Sequence, residues 1–320
     1  MTINLADIER AAERIAPHAV RTPVLRNAAL DTSTGAQLAF KCENLQRAGA
    51  FKFRGACNAV MALAEADAAR GVVTHSAGNH GAALALAAHL RGIPAHIVVP
   101  QGTVKSKIDA ICEYGATLHL CAPTLAAREI ECERVRAETG ATLVHPFSDA
   151  QVIAGQGTAA LELIREAGAF DIIMTPISGG GLIGGTAIAA RALLPKIAIY
   201  AAEPEGAADA IESLRRGERV TDVVPDTICD GLRASIGAVN FELLQEYGVR
   251  VVPVSDAETI AAMRLIFDRL KLVVEPSSAT VLAAVLRHRE HFVGKRVGLI
   301  LSGGNLDLDR LPWQGAEHVG

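Results

Sequence analysis

The chain is 320 residues long, half of them hydrophobic and 21% charged, with a formal net charge of −4. That composition excludes a disordered or fibrous protein. With no long run of Lys or Arg, nothing advertises a nucleic-acid surface, and no nucleic-acid partner is expected.

The N-terminal segment carries acids and lacks the apolar run of a signal peptide. Residues 5–16 repeat apolar positions at helical spacing (Leu5, Ile8, Ala12, Ile15) up to Pro17. Residues 21–25 and 37–41 read as short extended segments. From Gly71 the chain alternates β-like and helical runs. The first series of β-like runs is 72–74, 95–99, 117–121 and 141–144; the second is 171–174, 197–201, 250–254 and 297–301. Helical stretches are expected at 80–90, 105–114, 125–138, 154–167, 183–193, 207–216, 256–270 and 277–290. The most apolar of them, 82–90, stops at Arg91 and is too short to span a bilayer, so a cytoplasmic protein without membrane partners is expected. Apolar strands each followed by a helix predict parallel sheets covered on both faces, an α/β fold. The two series predict two such lobes, one near 71–145 and the other built from both ends of the chain. Six scattered cysteines, Cys42, Cys57, Cys112, Cys121, Cys132 and Cys229, lack Cys-x-x-Cys spacing and read as reduced thiols.

In Gly49-Ala50-Phe51-Lys52-Phe53-Arg54-Gly55 one ammonium is crowded between two phenylalanines. Lost hydration disfavours the charged form and moves the lysine pKa toward neutrality. A neutral amine is a nucleophile, used most often to form an imine with a carbonyl cofactor or substrate. The plain alternative is a surface lysine beside two core rings.

In open α/β sheets ligands sit beyond the carboxyl ends of the strands, and three such loops are chemically unusual. His75-Ser76-Ala77-Gly78-Asn79-His80 leaves backbone N–H groups open at a helix N-terminus, and Asn79 adds an amide donor. An ordinary N-cap turn would use the same residue types. Ser178-Gly179-Gly180-Gly181-Leu182-Ile183-Gly184-Gly185 points to an anion-binding loop, because side chains there would block a phosphate. Tight packing of helix on strand is the weaker account of the same glycines. Gly179, Gly181 and Gly184 also satisfy the dinucleotide spacing, with Glu203 placed as a ribose-binding acid. Ser302-Gly303-Gly304-Asn305 lets a ring nitrogen approach a hydroxyl. An NAD(P)-binding Rossmann reading leaves Lys52, Asn79 and Ser302 idle. One phosphorylated, ring-bearing aldehyde, pyridoxal phosphate, uses all of them.

The residues Phe51–Gly55, Ser76–His80, Ser178–Gly181, Asp230-Gly231, Glu275–Ser278 and Ser302–Asn305 resemble, in order, the motifs of the serine/threonine dehydratase and serine racemase group. These are fold-type II pyridoxal-phosphate enzymes of tryptophan synthase β-like architecture, and the resemblance spans nearly the whole chain. It implies a large cofactor-binding domain from 1–70 and 146–320 and a small mobile domain at 71–145. By the same resemblance Lys52 would hold pyridoxal 5′-phosphate through its amine, Phe51 would lie against the ring and Asn79 would contact the phenolic oxygen. Ser178, Gly179, Gly180, Gly181 and Leu182 would hold the phosphate. Gly231 and Glu275 would belong to the cofactor pocket, and Ser302 would face the pyridine nitrogen. The substrate carboxylate would lie on Ser76, Ala77, Gly78, Asn79 and His80, with Arg128 as a further contact. Glu203, Ala207 (through its carbonyl) and Asp209 match the spacing of a site for Mg2+, Mn2+ or Ca2+, although the two acids also suit a solvated strand end and a helix cap. A homodimer is expected on the same ground.

The expected reaction takes water from L-threonine or L-serine and gives a 2-keto acid and ammonia, with Lys52 as general base at Cα. Racemases of the group show Ser-Ser-Gly-Asn-His, whereas this chain has Ala77 at the second position, so elimination with little racemisation is expected. Dehydratases of 3-hydroxyaspartate carry the same motifs. A second substrate carboxylate would need a cation or several donors, for which Arg54, Arg128 and His145 are the candidates. The short stretch after Trp313 leads to the expectation of no C-terminal regulatory domain and no isoleucine inhibition.

Overall fold

The computed structural model describes residues 3–314. Its strands are β1 (Val24–Leu25), β2 (Gln37–Cys42), β3 (Val72–Thr74), β4 (Ala95–Pro100), β5 (Thr117–Cys121), β6 (Thr142–Leu143), β7 (Ile172–Pro176), β8 (Ala198–Pro204), β9 (Arg250–Val254) and β10 (Arg296–Leu301). They form a six-stranded sheet in the order β1-β2-β10-β7-β8-β9 and a four-stranded sheet in the order β5-β4-β3-β6. Every pairing is parallel except β1 with β2, a two-residue edge strand laid antiparallel on Phe40 and Lys41.

The helices of the first part of the chain are α1 (Leu5–Ile15), α2 (Ala28–Thr34), α3 (Lys52–Met61), α4 (Glu65–Ala68), α5 (Asn79–Arg91), α6 (Lys105–Cys112) and α7 (Leu125–Thr139). Those that follow are α8 (Ala150–Ala167), α9 (Gly181–Leu193), α10 (Asp209–Arg216), α11 (Ala238–Glu246), α12 (Asp256–Leu270), α13 (Pro276–Arg287) and α14 (Arg289–Phe292). Local chemistry explains where several begin. The Asn4 side chain accepts from the N–H groups of Ala6 and Asp7 while Asp7 answers the Asn4 N–H, and Ser255 with Glu258 forms the same reciprocal cap on α12. No helix among the described residues is long and apolar enough to cross a membrane.

Four helices, α2, α3, α4 and α11, stand where the sequence predicted none. Helix α3 matters most, because it packs between α5 and α8. A Cβ on Gly55 would lie 2.7 Å from the Val152 carbonyl, and one on Gly155 2.6 Å from the Arg54 carbonyl. The two backbones cross at a glycine pair that no other residue fits. The strands of the smaller sheet all lie within 72–143, yet its core continues into Phe53, Ala56, Cys57 and Val60 of α3. The apolar packing therefore runs across the expected division at residue 71.

Candidate active site

Lys52 opens α3, and the turn before it is locked to the segment after β10. Ala50 bridges Gly303, the Phe51 N–H donates to the Ser302 carbonyl at 2.9 Å, and the Gly304 N–H to the Gly49 carbonyl at 2.9 Å. Gly49 has φ 69°, and a Cβ there would lie 2.2 Å from Asn305 Oδ1. Lys52 and Ser302, from opposite ends of the sequence, are brought together by these bonds.

Lys52 Nζ donates to the Pro146 carbonyl at 2.9 Å and stands 5.2 Å from the centroid of the Phe51 ring. No carboxylate forms an ion pair with it among the described residues. Burial lowers its pKa from 10.5 to about 8, with the Glu275 charge opposing. The sequence expectation of a depressed amine is met, and burial is the cause.

The Ser76–His80 loop leads into α5. His80 is 1% exposed and its Nε2 donates to the Val144 carbonyl at 3.1 Å, which holds the ring in the interior. Burial, reinforced by the Lys52 charge, takes its pKa down to about 3. His145 Nδ1 accepts from the N–H groups of Phe147 (3.3 Å) and Ser148 (3.1 Å), which leaves the proton on Nε2. Burial and then the charges of His75 and Lys52 lower His145 to about 4, so it is a neutral donor. Its ring meets that of His75 edge-on at 5.5 Å, and His75 in turn is lowered by burial and by the charge of Arg128 on α7. Arg128 pairs with no carboxylate among the described residues.

Asn79 Nδ2 donates to both Glu275 oxygens, at 3.1 and 3.0 Å, and its Oδ1 accepts from Asn305 at 3.0 Å, which fixes the amide. Burial pushes Glu275 up to about 7, against the Asn79 hydrogen bonds and helped by the Asp230 charge. The neighbouring Gly231 N–H donates to Ser277 Oγ at 3.1 Å. Asp230 itself reaches across to α6, accepting from Lys107 Nζ at 2.5 Å. Ser302 is buried, and its hydroxyl makes no hydrogen bond to another described residue.

At the start of α9 the backbone N–H groups of Gly179 through Ile183 donate to no other described residue, and no side chain caps the helix. Such unpaired donors at the positive end of a helix suit a phosphate. The glycines also serve packing, the role that the sequence ranked second. A Cβ on Gly179 would lie 2.3 Å from the Phe147 ring, and one on Gly180 (φ 90°) 2.5 Å from Ile236 and 2.6 Å from Asn240. Ser178 Oγ is bound to the Ala234 backbone at 2.8 Å, which ties the loop down, and Leu182 is buried in the large core. Asn240, fully buried in α11, donates to the carbonyls of Gly179 (2.6 Å) and Phe147 (2.8 Å). Pro146, Phe147, Asn240 and Lys107 escaped the sequence reading, since no motif or spacing marks them, and nothing in the sequence paired Lys107 with the motif residue Asp230.

Two expectations change. Arg54 is no candidate for a substrate carboxylate: it is fully buried and its guanidinium binds both oxygens of Glu43 (2.6 and 2.8 Å) and both of Glu162 (2.8 Å each). Nor are Glu203 and Asp209 a solvated strand end and cap, being 1% and 4% exposed. Glu203 accepts from the N–H groups of Ala210 (2.8 Å) and Ile211 (2.9 Å), and Asp209 from that of Ile236 (2.7 Å). Burial pushes Glu203 up to about 8, with the Asp209 charge adding, and Asp209 up to about 6.

An amine of low pKa with no acid partner, a row of unpaired N–H donors and a free Ser302 hydroxyl fit the aldehyde, phosphate and pyridine nitrogen of pyridoxal phosphate. Residues 15–303 match the family described as pyridoxal-phosphate dependent enzyme. The β-hydroxyaspartate dehydratase of Paracoccus denitrificans is 47% identical over 307 residues, 96% of this chain and 98% of the relative. The serine racemase of Arabidopsis thaliana is 48% identical, covering 96% and 95%. The crystal structure of serine racemase from Dictyostelium discoideum superposes with a TM-score of 0.92 at 45% identity, covering 96% of this chain and all of that one. The chain belongs to the fold-type II family of pyridoxal-phosphate dependent enzymes that includes these dehydratases and racemases.

Proposed function

We propose that the protein removes water from a β-hydroxy-α-amino acid and releases a 2-keto acid and ammonia. The observation that carries this reading is the Lys52 amine, lowered to about 8 and facing a carbonyl rather than an acid. Pyridoxal phosphate, when bound, supplies the sink for the electron pair left at Cα. Lys52 takes the Cα proton as general base, the electron pair left at Cα forms Cα=Cβ as the Cβ–O bond breaks, and the departing hydroxyl takes up that proton and leaves as water. The enamine that results tautomerises and is hydrolysed to the keto acid and ammonia. The unpaired N–H groups of Gly179–Ile183 would hold the phosphate, Ser302 would meet the pyridine nitrogen, and the Ser76–His80 backbone would take the substrate carboxylate. Ala77 has no proton to give or accept, so the opposite face of Cα lacks the acid a racemase needs. The buried Glu203 and Asp209, with the Ala207 carbonyl, suit a divalent cation, because two acids raised by burial gain from an opposite charge.

The reading is tested by borohydride reduction followed by peptide mass spectrometry, with keto acid and ammonia assayed in parallel. The tag is expected on Lys52; a tag elsewhere, or none, overturns it.

A second reading concerns the substrate. Arg128, without a carboxylate partner among the described residues and beside His75 and the neutral donor His145, suits the distal carboxylate of 3-hydroxyaspartate better than the methyl of threonine. Arg128→Met is then expected to raise KM for 3-hydroxyaspartate by roughly tenfold more than KM for serine, the loss of one charge-assisted contact. Equal losses on both substrates would assign Arg128 to the α-carboxylate and end this second reading.

A further inference from the structure

The segment after α13 carries chemistry that the proposed reaction leaves unused. His288 follows α13, and Glu290 and His291 lie in α14. Their donor atoms converge. His288 Nδ1 is 3.9 Å and His291 Nε2 3.7 Å from the same Glu290 oxygen, and the three lie within 4.8 Å of one another. The other nitrogen of His288, Nε2, is 3.0 Å from the Pro253 carbonyl. A carbonyl can only accept, so Nε2 holds the proton and Nδ1 turns its lone pair toward the cluster. A ring fixed through one nitrogen by a backbone carbonyl and open at the other is how metal-binding histidines are usually oriented. Glu290 pairs with no Lys or Arg among the described residues, although Arg289 is its neighbour.

We propose that His288, Glu290 and His291 bind a transition-metal ion of the zinc type. Two imidazoles and one carboxylate are ligands for Zn2+ and its neighbours in the first row rather than for Mg2+ or Ca2+. At metal–ligand bonds of about 2.0–2.2 Å the edges of a tetrahedron are roughly 3.4 Å. The observed 3.7 and 3.9 Å close to that value with small side-chain rotations. Three protein ligands leave the fourth position to water, and His291 also borders a cleft of about 650 Å³ with Tyr200 and Arg250.

The site is separate from the reacting centre. Glu275 precedes α13 and His288 follows it, so twelve helical residues place them about 18 Å apart along the axis. It shares no ligand with Glu203 and Asp209, whose carboxylates are engaged by the N–H groups of Ala210, Ile211 and Ile236. The ion would bridge the end of α13 to α14, just before the chain enters β10, and so acts on stability rather than on turnover.

The test is equilibrium dialysis of the holoenzyme against Zn2+ with the metal counted per chain, run in a Cys112→Ser background to remove the exposed thiol. One zinc that His291→Asn abolishes and Glu203→Gln leaves in place is expected, together with a zinc-dependent rise in Tm that His291→Asn also abolishes. His291 is half exposed, so its replacement is compatible with folding. Glu290→Gln, which keeps the shape and removes the charge, is expected to weaken binding about tenfold or more. Zinc counts equal in wild type and His291→Asn, or no zinc retained by the wild type, would overturn the proposal.

Discussion

At the scale of single residues, two positions carry the proposed chemistry. The neutral fraction of the Lys52 amine grows with pH up to its pKa of about 8, because burial has lowered it from 10.5. Capture of pyridoxal phosphate by cofactor-free protein should therefore speed up roughly tenfold per pH unit below about 8 and level off above it. Stopped-flow absorbance measures this; a rate that keeps climbing toward pH 10 would mean an unperturbed lysine. Ala77 is the other. Ala77→Ser places a hydroxyl in the loop over the site and should raise serine racemisation on the order of a hundredfold, the usual worth of a positioned acid or base. Polarimetry beside the pyruvate assay would show it, and unchanged racemisation would mean that more than one proton carrier is missing. Arg54, two residues after Lys52, shows the opposite behaviour: a cation close to the reactive amine in sequence is held entirely by Glu43 and Glu162.

At the scale of elements, the start of α9 is the proposed anion site. Gly180 holds φ 90°, which side chains rarely adopt, and a Cβ there would press on Ile236 and Asn240. Gly180→Ala should cost about 1–3 kcal/mol of local strain. Asn240 orients the same loop through the Gly179 carbonyl, so the strain should appear at the phosphate. The expected result is cofactor affinity lower by roughly tenfold or more, read by fluorescence titration, beside a lower Tm. An unchanged affinity would show that the N–H groups of this loop do not hold the phosphate. Helix α3 makes a related point, since its start is set by the loop after β10 and its path by the glycine crossing with α8.

At the scale of the whole molecule, one ion pair joins the two sheets' territories over the site. Lys107 on α6 meets Asp230 at 2.5 Å, beside Gly231 and the Glu275–Asn79 pair. Both side chains are more than two-fifths exposed, so solvent screening limits the pair to about 0–1 kcal/mol. Lys107→Met should accordingly raise KM by no more than about fivefold, with the effect fading at high salt. A loss of a hundredfold or more would mean that Lys107 touches the substrate directly.

The α/β class, most strands and a lysine of lowered pKa were legible in the sequence, because apolar periodicity and the crowding of Lys52 by two phenylalanines are local signals that survive without a fold. So was the placement of the three small-residue loops, which follow β3, β7 and β10 as the sequence reading had them. Helix α3 was not legible: no helical periodicity was read over 52–61, where the helix packs between α5 and α8. Nor could Arg54 be assigned, because its two carboxylate partners lie 11 and 108 residues away along the chain. The burial that raises Glu203 and Asp209, the clamp on Asn79 and the carbonyl beneath Lys52 all join segments distant in sequence. Residue type and spacing set what chemistry this chain could perform. Tertiary contact alone decided which charges went into structure and which were left free to react, because desolvation and partnering exist only once the segments meet.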